Sequence, residues 1–327
     1  MPTIFDPPPP SVRTDLDALH AALDQTIPAK RAGENLLIAT WNLRAFGSLT
    51  RKWTAEGGDE PKRDLRGLRA ICDIVARFDV VALQEVMGDL RALRDMIKFL
   101  GDGWAFLMTD VTEGAAGHNE RMAFVFDQRR LVPSGLACEL VVPPEWLDEI
   151  AADALRRQFA RTPYAVSFRA GTTTFVLVMA HVDYGTSSAA RIPELAGIAR
   201  WMAHWARQAF NWHHNLLLLG DFNIDRKDDA LWKAFVSTGL TVPDDLHQVR
   251  RTIFADPAHP TLDKYYDQIA WFSTASGAWR LEMDYRRGGG FDFLPFVYTD
   301  TTLTKNSISY RISDHYPLWV EFALDAG

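Results

Sequence analysis

Residues 216–225 read LLLLGDFNID, four leucines running directly into Gly220, Asp221 and Asn223. An apolar run this short, bounded by Asn215 and Gly220, has the length of a strand buried on both faces rather than of a helix. The same form recurs along the chain: LLIATW (36–41) ends at Asn42, VVALQ (80–84) at Glu85 and TFVLVMA (174–180) at His181. One carboxylate or amide after a strand is explained by the turn it caps. Four such endings, with Asp267 opening DQIAW and Asp314-His315 opening DHYPLWVEF, describe polar groups gathered at the ends of packed strands.

Further strand candidates are MAFVFD (122–127) and AVSFRA (165–170), rich in Val, Phe and Ala. Helical spacing predicts helices over Leu65–Arg77, Leu90–Leu100 and Pro193–Ala209, and Arg51–Asp64 reads as a polar loop. Ahead of the first strand, Pro7–Pro10 is expected to be extended and poorly ordered. Val12, Leu16, Leu19 and Leu23 then mark an amphipathic helix from Val12 to Ile27. No internal repeat of fixed period is present. Many buried strands flanked by helices point to packed sheets with helices outside, an α/β layered architecture. Residues 1–34 are an N-terminal extension on this reading, and 35–327 form one domain.

The 327 residues carry a formal charge of −7, with 47% apolar and 24% charged residues, which excludes disordered, collagenous and fibrous classes. No apolar run reaches the ~18 residues of a membrane span. The N-terminus lacks the basic start and apolar core of a secretory signal, so a cytoplasmic location is expected. Cys72 and Cys138 read as free thiols, because a chain of this size builds its core without a disulfide. Nothing in the sequence indicates a protein partner.

If Asn42, Glu85, His181, Asp221, Asn223, Asp267, Asp314 and His315 share one cleft, four carboxylates repel one another there and need a compensating cation. Carboxylate and amide oxygens suit Mg²⁺, with Mn²⁺ as substitute, and the chain has no CxxC pair and no closely spaced His pair with an acid to favour zinc. Such a set also contains what hydrolysis of a phosphate ester requires: charge neutralisation, donors to the phosphate oxygens and a group that activates water. A histidine bonded to a carboxylate favours its protonated form and suits the donor role. The proposed pairs are Asp267 with His315 and Glu120 with His181.

The ordered motifs ATWNLRAFG (39–47), VVALQEV (80–86), NERMAFVFD (119–127), MAHVDYG (179–185), LLLLGDFNID (216–225), YYDQIAW (265–271) and ISDHYPLWVEF (312–322) together resemble the endonuclease/exonuclease/phosphatase superfamily, on its deoxyribonuclease I-like branch. The resemblance spans Ala39 to Phe322 and implies a four-layered α/β sandwich, two packed, mostly antiparallel sheets flanked by helices. It implies metal ligation by Glu85 with Asn42 and Asp314 beside it. It implies that Asp221 and Asn223 orient the attacking water and contact the scissile phosphate, and that His315, partnered by Asp267, bonds a phosphate oxygen. His181 and Glu120 match the second histidine–carboxylate pair of that branch. Arg44 and Arg121 match basic positions near the substrate backbone, with Asn223 and His315 also touching phosphate. The activity implied is a divalent-metal-dependent phosphodiesterase with nucleic acid, foremost DNA, as substrate.

The chain also departs from that branch. Met87 follows QEV where an arginine enters the minor groove, and His118 replaces the tyrosine that stacks beside it, so the grip on duplex DNA is altered while the chemical centre is kept. The extracellular branch's disulfide has no counterpart. Inositol polyphosphate phosphatases carry WxDR where this chain has YYDQI. A phosphomonoesterase or a sphingomyelinase-like lipid phosphodiesterase on the same centre stays open, as does a catalytically silent binding module, although that last reading predicts loss of Glu85, Asp221 or His315 and none is lost.

Other features read as structural. Ile198, Trp201, Met202 and Trp205 form a core-facing stripe. His213-His214 sits near a helix end. Arg286-Arg287 with Gly288–Gly290 reads as a surface hairpin. Lys62-Arg63 and Arg250-Arg251 read as solvated charges.

Overall fold

The first strand, β1 (Asn35–Phe46), alternates Leu36 and Ile38 toward one apolar cluster with Leu37, Ala39 and Trp41 toward another. A period of two with both faces buried places it at the centre of a layered structure. The computed structural model describes residues 1–112, 119–141, 159–207, 215–273 and 281–324. Its other strands are β2 (Val80–Met87), β3 (Trp104–Met108), β4 (Glu120–Asp127), β5 (Val132–Glu139), β6 (Tyr164–Ala170), β7 (Thr173–His181), β8 (Leu216–Asp221), β9 (Leu240–Thr241), β10 (Asp267–Phe272), β11 (Tyr285–Gly290) and β12 (Leu318–Ala323). They form two six-stranded sheets, ordered β11-β12-β1-β2-β4-β3 and β5-β6-β7-β8-β10-β9. The two inner faces meet in a core that includes Ile38, Val80, Phe124, Val178 and Leu218. This is the expected sandwich of two mixed sheets flanked by helices.

Each sheet has one parallel pair at its middle, β1 with β2 and β7 with β8, flanked by antiparallel neighbours. Parallel strands finish at the same edge, and their antiparallel neighbours start there. That rule alone collects Asn42 in β1, Glu85, His181 and Asp221 at strand ends, with Glu120 and Asp267 at the first residues of β4 and β10 and His315 just ahead of β12. The topology therefore builds one polar rim from segments up to 273 residues apart in sequence.

Helix α1 (Pro10–Thr26) starts with Pro10 at its first turn, where a missing N–H costs nothing, and buries Val12, Leu16, Leu19 and Leu23. These residues share a cluster with the outer face of the first sheet and with α2 (Leu65–Val75) and α3 (Arg91–Leu100). Asp64 caps α2 by accepting from the Gly67 amide at 2.9 Å. Buried Asp15 of α1 pairs with Arg66 of α2 at 2.5 Å, fastening the N-terminal helix to the helix beside it. Helix α4 (Ser188–Ala206) covers the second sheet with Ile198 and Met202, while Trp201 and Trp205 pack edge to face at 4.7 Å. It begins earlier than Pro193, which lies within it, because Ser187 supplies the cap. Short helices α5 (Ala230–Phe235), α6 (Asp244–His247) and α7 (Lys305–Ser309) complete the chain.

Three sequence expectations change. Tyr285–Gly290 is not a hairpin but the edge strand β11, with Arg287 bonded to Glu321 at 2.8 Å. Arg63 and Arg251 are not solvated: both are buried, and Arg251 donates to the Asp267 carbonyl at 2.8 Å. The edge strands β3, β5 and β9, paired with β4, β6 and β10, have no counterpart in the sequence reading. His213 and His214 lie outside the described residues, as does His118. Both cysteines are free thiols, Cys72 buried and Cys138 partly so.

Candidate active site

Asn42 has the same parity on β1 as Leu36 and Ile38, so it faces the second sheet. Glu85 does not inherit such a direction. On β2, Val81 and Leu83 face the outer cluster, and simple alternation would send residue 85 the same way. A register shift between Leu83 and Val86, with Glu85 at φ +58°, adds one residue and turns its carboxylate inward. Asn42 Nδ2 then donates to Glu85 Oε1 at 2.9 Å and to Asp221 Oδ2 at 3.0 Å, tying the two sheets together at the rim.

Asp221 is the hub. Its Oδ2 lies 3.7 Å from His181 Nε2 and 3.9 Å from His315 Nε2, while Oδ1 accepts from the Asn223 amide at 2.9 Å. Burial works against its charge, but His315, His181 and these donors overcome that and hold the carboxyl below its ordinary range. The preceding Gly220, at φ +140°, is required by the close approach of β7: a Cβ there would meet the Ala180 carbonyl oxygen at 1.9 Å. Asn223, at φ +48°, donates from Nδ2 to the Val182 carbonyl at 2.8 Å. Its own carbonyl accepts from buried Arg191.

His315 Nδ1 meets Asp267 Oδ2 at 2.7 Å, and Tyr266 stacks on the imidazole with centroids 5.4 Å apart. Burial would strip the proton from His315, but Asp267 and Asp221 outweigh it and raise its pKa well above the ordinary value. It is therefore a cation at neutral pH, with Nε2 turned toward Asp221. His181 Nδ1 lies 3.3 Å from Glu120 Oε2. The same oxygen is 2.9 Å from Arg161 Nε, and Arg161 also faces Asp183 at 3.8 Å.

Arg44 sits at φ +39° and bonds Asp314 at 3.2 Å and Ser309 at 2.7 Å, its guanidinium 4.0 Å from the exposed ring of Tyr310. The structure thus links Asn42, Glu85, Glu120, His181, Asp221, Asn223, Asp267 and His315, with Asp314 and Arg44 in contact at the edge. Arg121 points away from this network, reaching the Met87 carbonyl at 3.5 Å, because it neighbours Glu120 on a strand and takes the opposite face. Sequence reading missed Arg161, Arg191 and Tyr266. Tyr266 stood inside the YYDQI motif, whereas nothing local marked either arginine.

The donors present fit a hard divalent cation. Glu85, Asp314 and the Asn42 amide offer oxygens, and Asp221, Asp267 and His315 bring ligand-type atoms within 4.8 Å of one another. Within the histidine–aspartate cluster His315 and Asp267 already serve each other as hydrogen-bond partners, while Asp221 lies 3.9 Å from His315. Asp267 Oδ1 is buried and lacks a hydrogen-bond partner among the described residues.

The sequence pattern of the Endonuclease/Exonuclease/phosphatase family matches residues 39–315, and the chain belongs to that family. A deoxyribonuclease of Thioalkalivibrio sp. (strain K90mix) is 29% identical over 201 residues, covering 60% of this chain and 48% of its own length. The chain thus spans about half of that relative. In fold it is similar to a mannosyl-6-phosphatase of Bacteroides thetaiotaomicron, 20% identical at a TM-score of 0.56 over 88% of this chain and 99% of that one. It is equally similar to the catalytic domain of human Nocturnin, 15% identical at a TM-score of 0.56 over 91% and 97%. Among the described residues no helix is long and apolar enough to cross a membrane.

Proposed function

We propose that the chain is a divalent-metal-dependent phosphodiesterase that hydrolyses nucleic acid, foremost DNA, with Mg²⁺ as the ion and Mn²⁺ as its substitute. The observation that carries this is the ionised Asp221 held between two histidines, each backed by its own carboxylate. Glu85, Asn42 and Asp314 would hold the ion, which when bound supplies charge neutralisation at a phosphate oxygen.

Protonated His315 donates from Nε2 to a non-bridging oxygen, and Asp267 keeps the ring oriented and charged as negative charge grows on the phosphoryl group. Asp221 accepts a proton from water and, with Asn223, aims it at phosphorus. His181, set by Glu120, donates from the other side of Asp221 to the leaving oxygen as its bond to phosphorus breaks. Arg44 meets a flanking backbone phosphate, and the exposed ring of Tyr310 beside Arg44 offers a stacking face for a base.

The deoxyribonuclease relative supports the nucleic-acid reading. The test is incubation with supercoiled plasmid in Mg²⁺ or Mn²⁺, with EDTA and His315→Ala as controls. Nicking that disappears in both controls is expected. Small phosphate esters cleaved in place of plasmid would move the assignment to a phosphomonoesterase or lipid phosphodiesterase.

A further inference from the structure

Arg63 is 2% exposed; its hydrogen bonds go to four backbone carbonyls, its guanidinium lies 5.2 Å from the Phe46 ring, and no carboxylate is in ion-pair range among the described residues. Burial lowers its pKa to about 10, so it remains a cation at neutral pH. A buried charge so placed is costly unless its surroundings are strongly polarised toward it. Three of the carbonyls belong to the turn that follows Asn42: Leu43 at 2.7 Å, Arg44 at 2.9 Å and Ala45 at 2.8 Å. The fourth, Ile312 at 3.1 Å, lies in the segment that leads into Asp314 and His315.

The other ends of the same peptide groups matter. The peptide joining Leu43 and Arg44 gives its oxygen to Arg63 and its N–H to Asn42 Oδ1 at 2.9 Å. The next peptide gives its oxygen to Arg63 and its N–H to Glu85 Oε2 at 2.8 Å. Arg44 and Ala45 take φ of +39° and +50°, a left-handed turn that side-chain-bearing residues adopt only when held. A cation on the oxygen side strengthens each amide as a donor, so orientation and charge pass through two peptides to the two groups placed at the metal.

We propose that Arg63 is a positioning residue of the metal centre: its guanidinium holds the left-handed turn at Arg44–Ala45 and, through two peptide groups, fixes Asn42 and Glu85 for a divalent cation. This rests on the reading above that Asn42 and Glu85 ligate the ion. The Ile312 bond extends the grip to the second half of the site. There Ser313 Oγ donates to the Asn42 carbonyl at 2.5 Å, and Trp41 Nε1 donates to the His315 carbonyl at 2.8 Å.

The experiment is Mn²⁺ binding to the full chain by isothermal titration calorimetry, for wild type, Arg63→Lys, Arg63→Met and Arg66→Met, with circular dichroism to confirm folding. Lysine keeps the charge but cannot span four carbonyls, so it tests the fork geometry even if the methionine variant does not fold. The expected result is a Kd for Mn²⁺ raised about 10-fold or more in Arg63→Lys and further in Arg63→Met. Arg66→Met, which removes a buried arginine paired with Asp15 instead, should melt at lower temperature yet bind Mn²⁺ as wild type does. Folded Arg63 variants with wild-type affinity would overturn the proposal, as would an equal loss in Arg66→Met. A wild-type chain that gives no Mn²⁺ isotherm would overturn the metal reading itself, and the positioning role with it.

Discussion

Glu194 on α4 places its carboxyl beside the site, with Oε1 covered and lacking a hydrogen-bond partner among the described residues although its stem is partly exposed. Burial, then the neighbouring Asp183, push its pKa up to about 7 from 4.5; the Ala160 amide and the charges of Arg161 and His181 pull the other way without prevailing. The folded chain therefore keeps a proton that the unfolded chain releases above pH 4.5. The sign follows: Glu194 favours folding most below pH 4.5, and that advantage is lost as pH rises toward 7. A shift of about 2.5 units corresponds to about 3 kcal/mol. Glu194→Gln has no proton to lose. It should lie within about 1 kcal/mol of wild type at pH 5 and exceed it by about 3 kcal/mol at pH 8.5, or about 4 °C in Tm for a chain of this length. Urea and thermal unfolding at pH 5, 7 and 8.5 measure the gap. A gap that does not widen with pH, or a glutamine variant less stable at pH 8.5, would refute the reasoning.

Other consequences follow from particular contacts. Gly220→Ala would force β7 and β8 apart at the register pairing Ala180 with Gly220 and His181 with Asp221, at a cost above about 4 kcal/mol; a melting temperature within about 2 °C of wild type would contradict this. Leu19→Ala should cost about 2–5 kcal/mol in a single unfolding transition if residues 1–34 fold with the sheets, since Leu19 is fully buried in the shared cluster. A separate early transition would instead make the N-terminal segment an independent unit. Cys72→Ser should leave turnover per folded molecule unchanged, because the thiol is buried among apolar residues and burial raises its pKa well above the ordinary value. Lost turnover with intact circular dichroism would contradict that.

Much of the site was written in the strand endings. Asn42, His181 and Asp221 close runs whose apolar character alone marks them as buried strands, and the pairing rule for parallel neighbours brings them to one edge. Glu85 was legible by type but not by direction: only the irregularity between Leu83 and Val86 turns it inward, and its cause lies in strand pairing. The buried arginines were illegible. Arg63 stands between Lys62 and Asp64 in a polar stretch that reads as solvated, and only the fold brings the Leu43–Ala45 and Ile312 carbonyls to it. Arg161 is fixed by Glu120 and Asp183, neither near it in sequence. β11 escaped because Arg and Gly carry little strand preference, and pairing with β12 overrides that.

If Glu85 and His315 act on one phosphate as parts of a single centre, their effects are coupled, and a double-mutant cycle on DNA cleavage in Mg²⁺ reads that coupling. Glu85→Ala and His315→Ala should each lower turnover by about 10² or more with folding retained, and the double variant should lose far less than the product of the two. Turnover that survives either substitution at near wild-type rates, or losses that simply multiply, would contradict it.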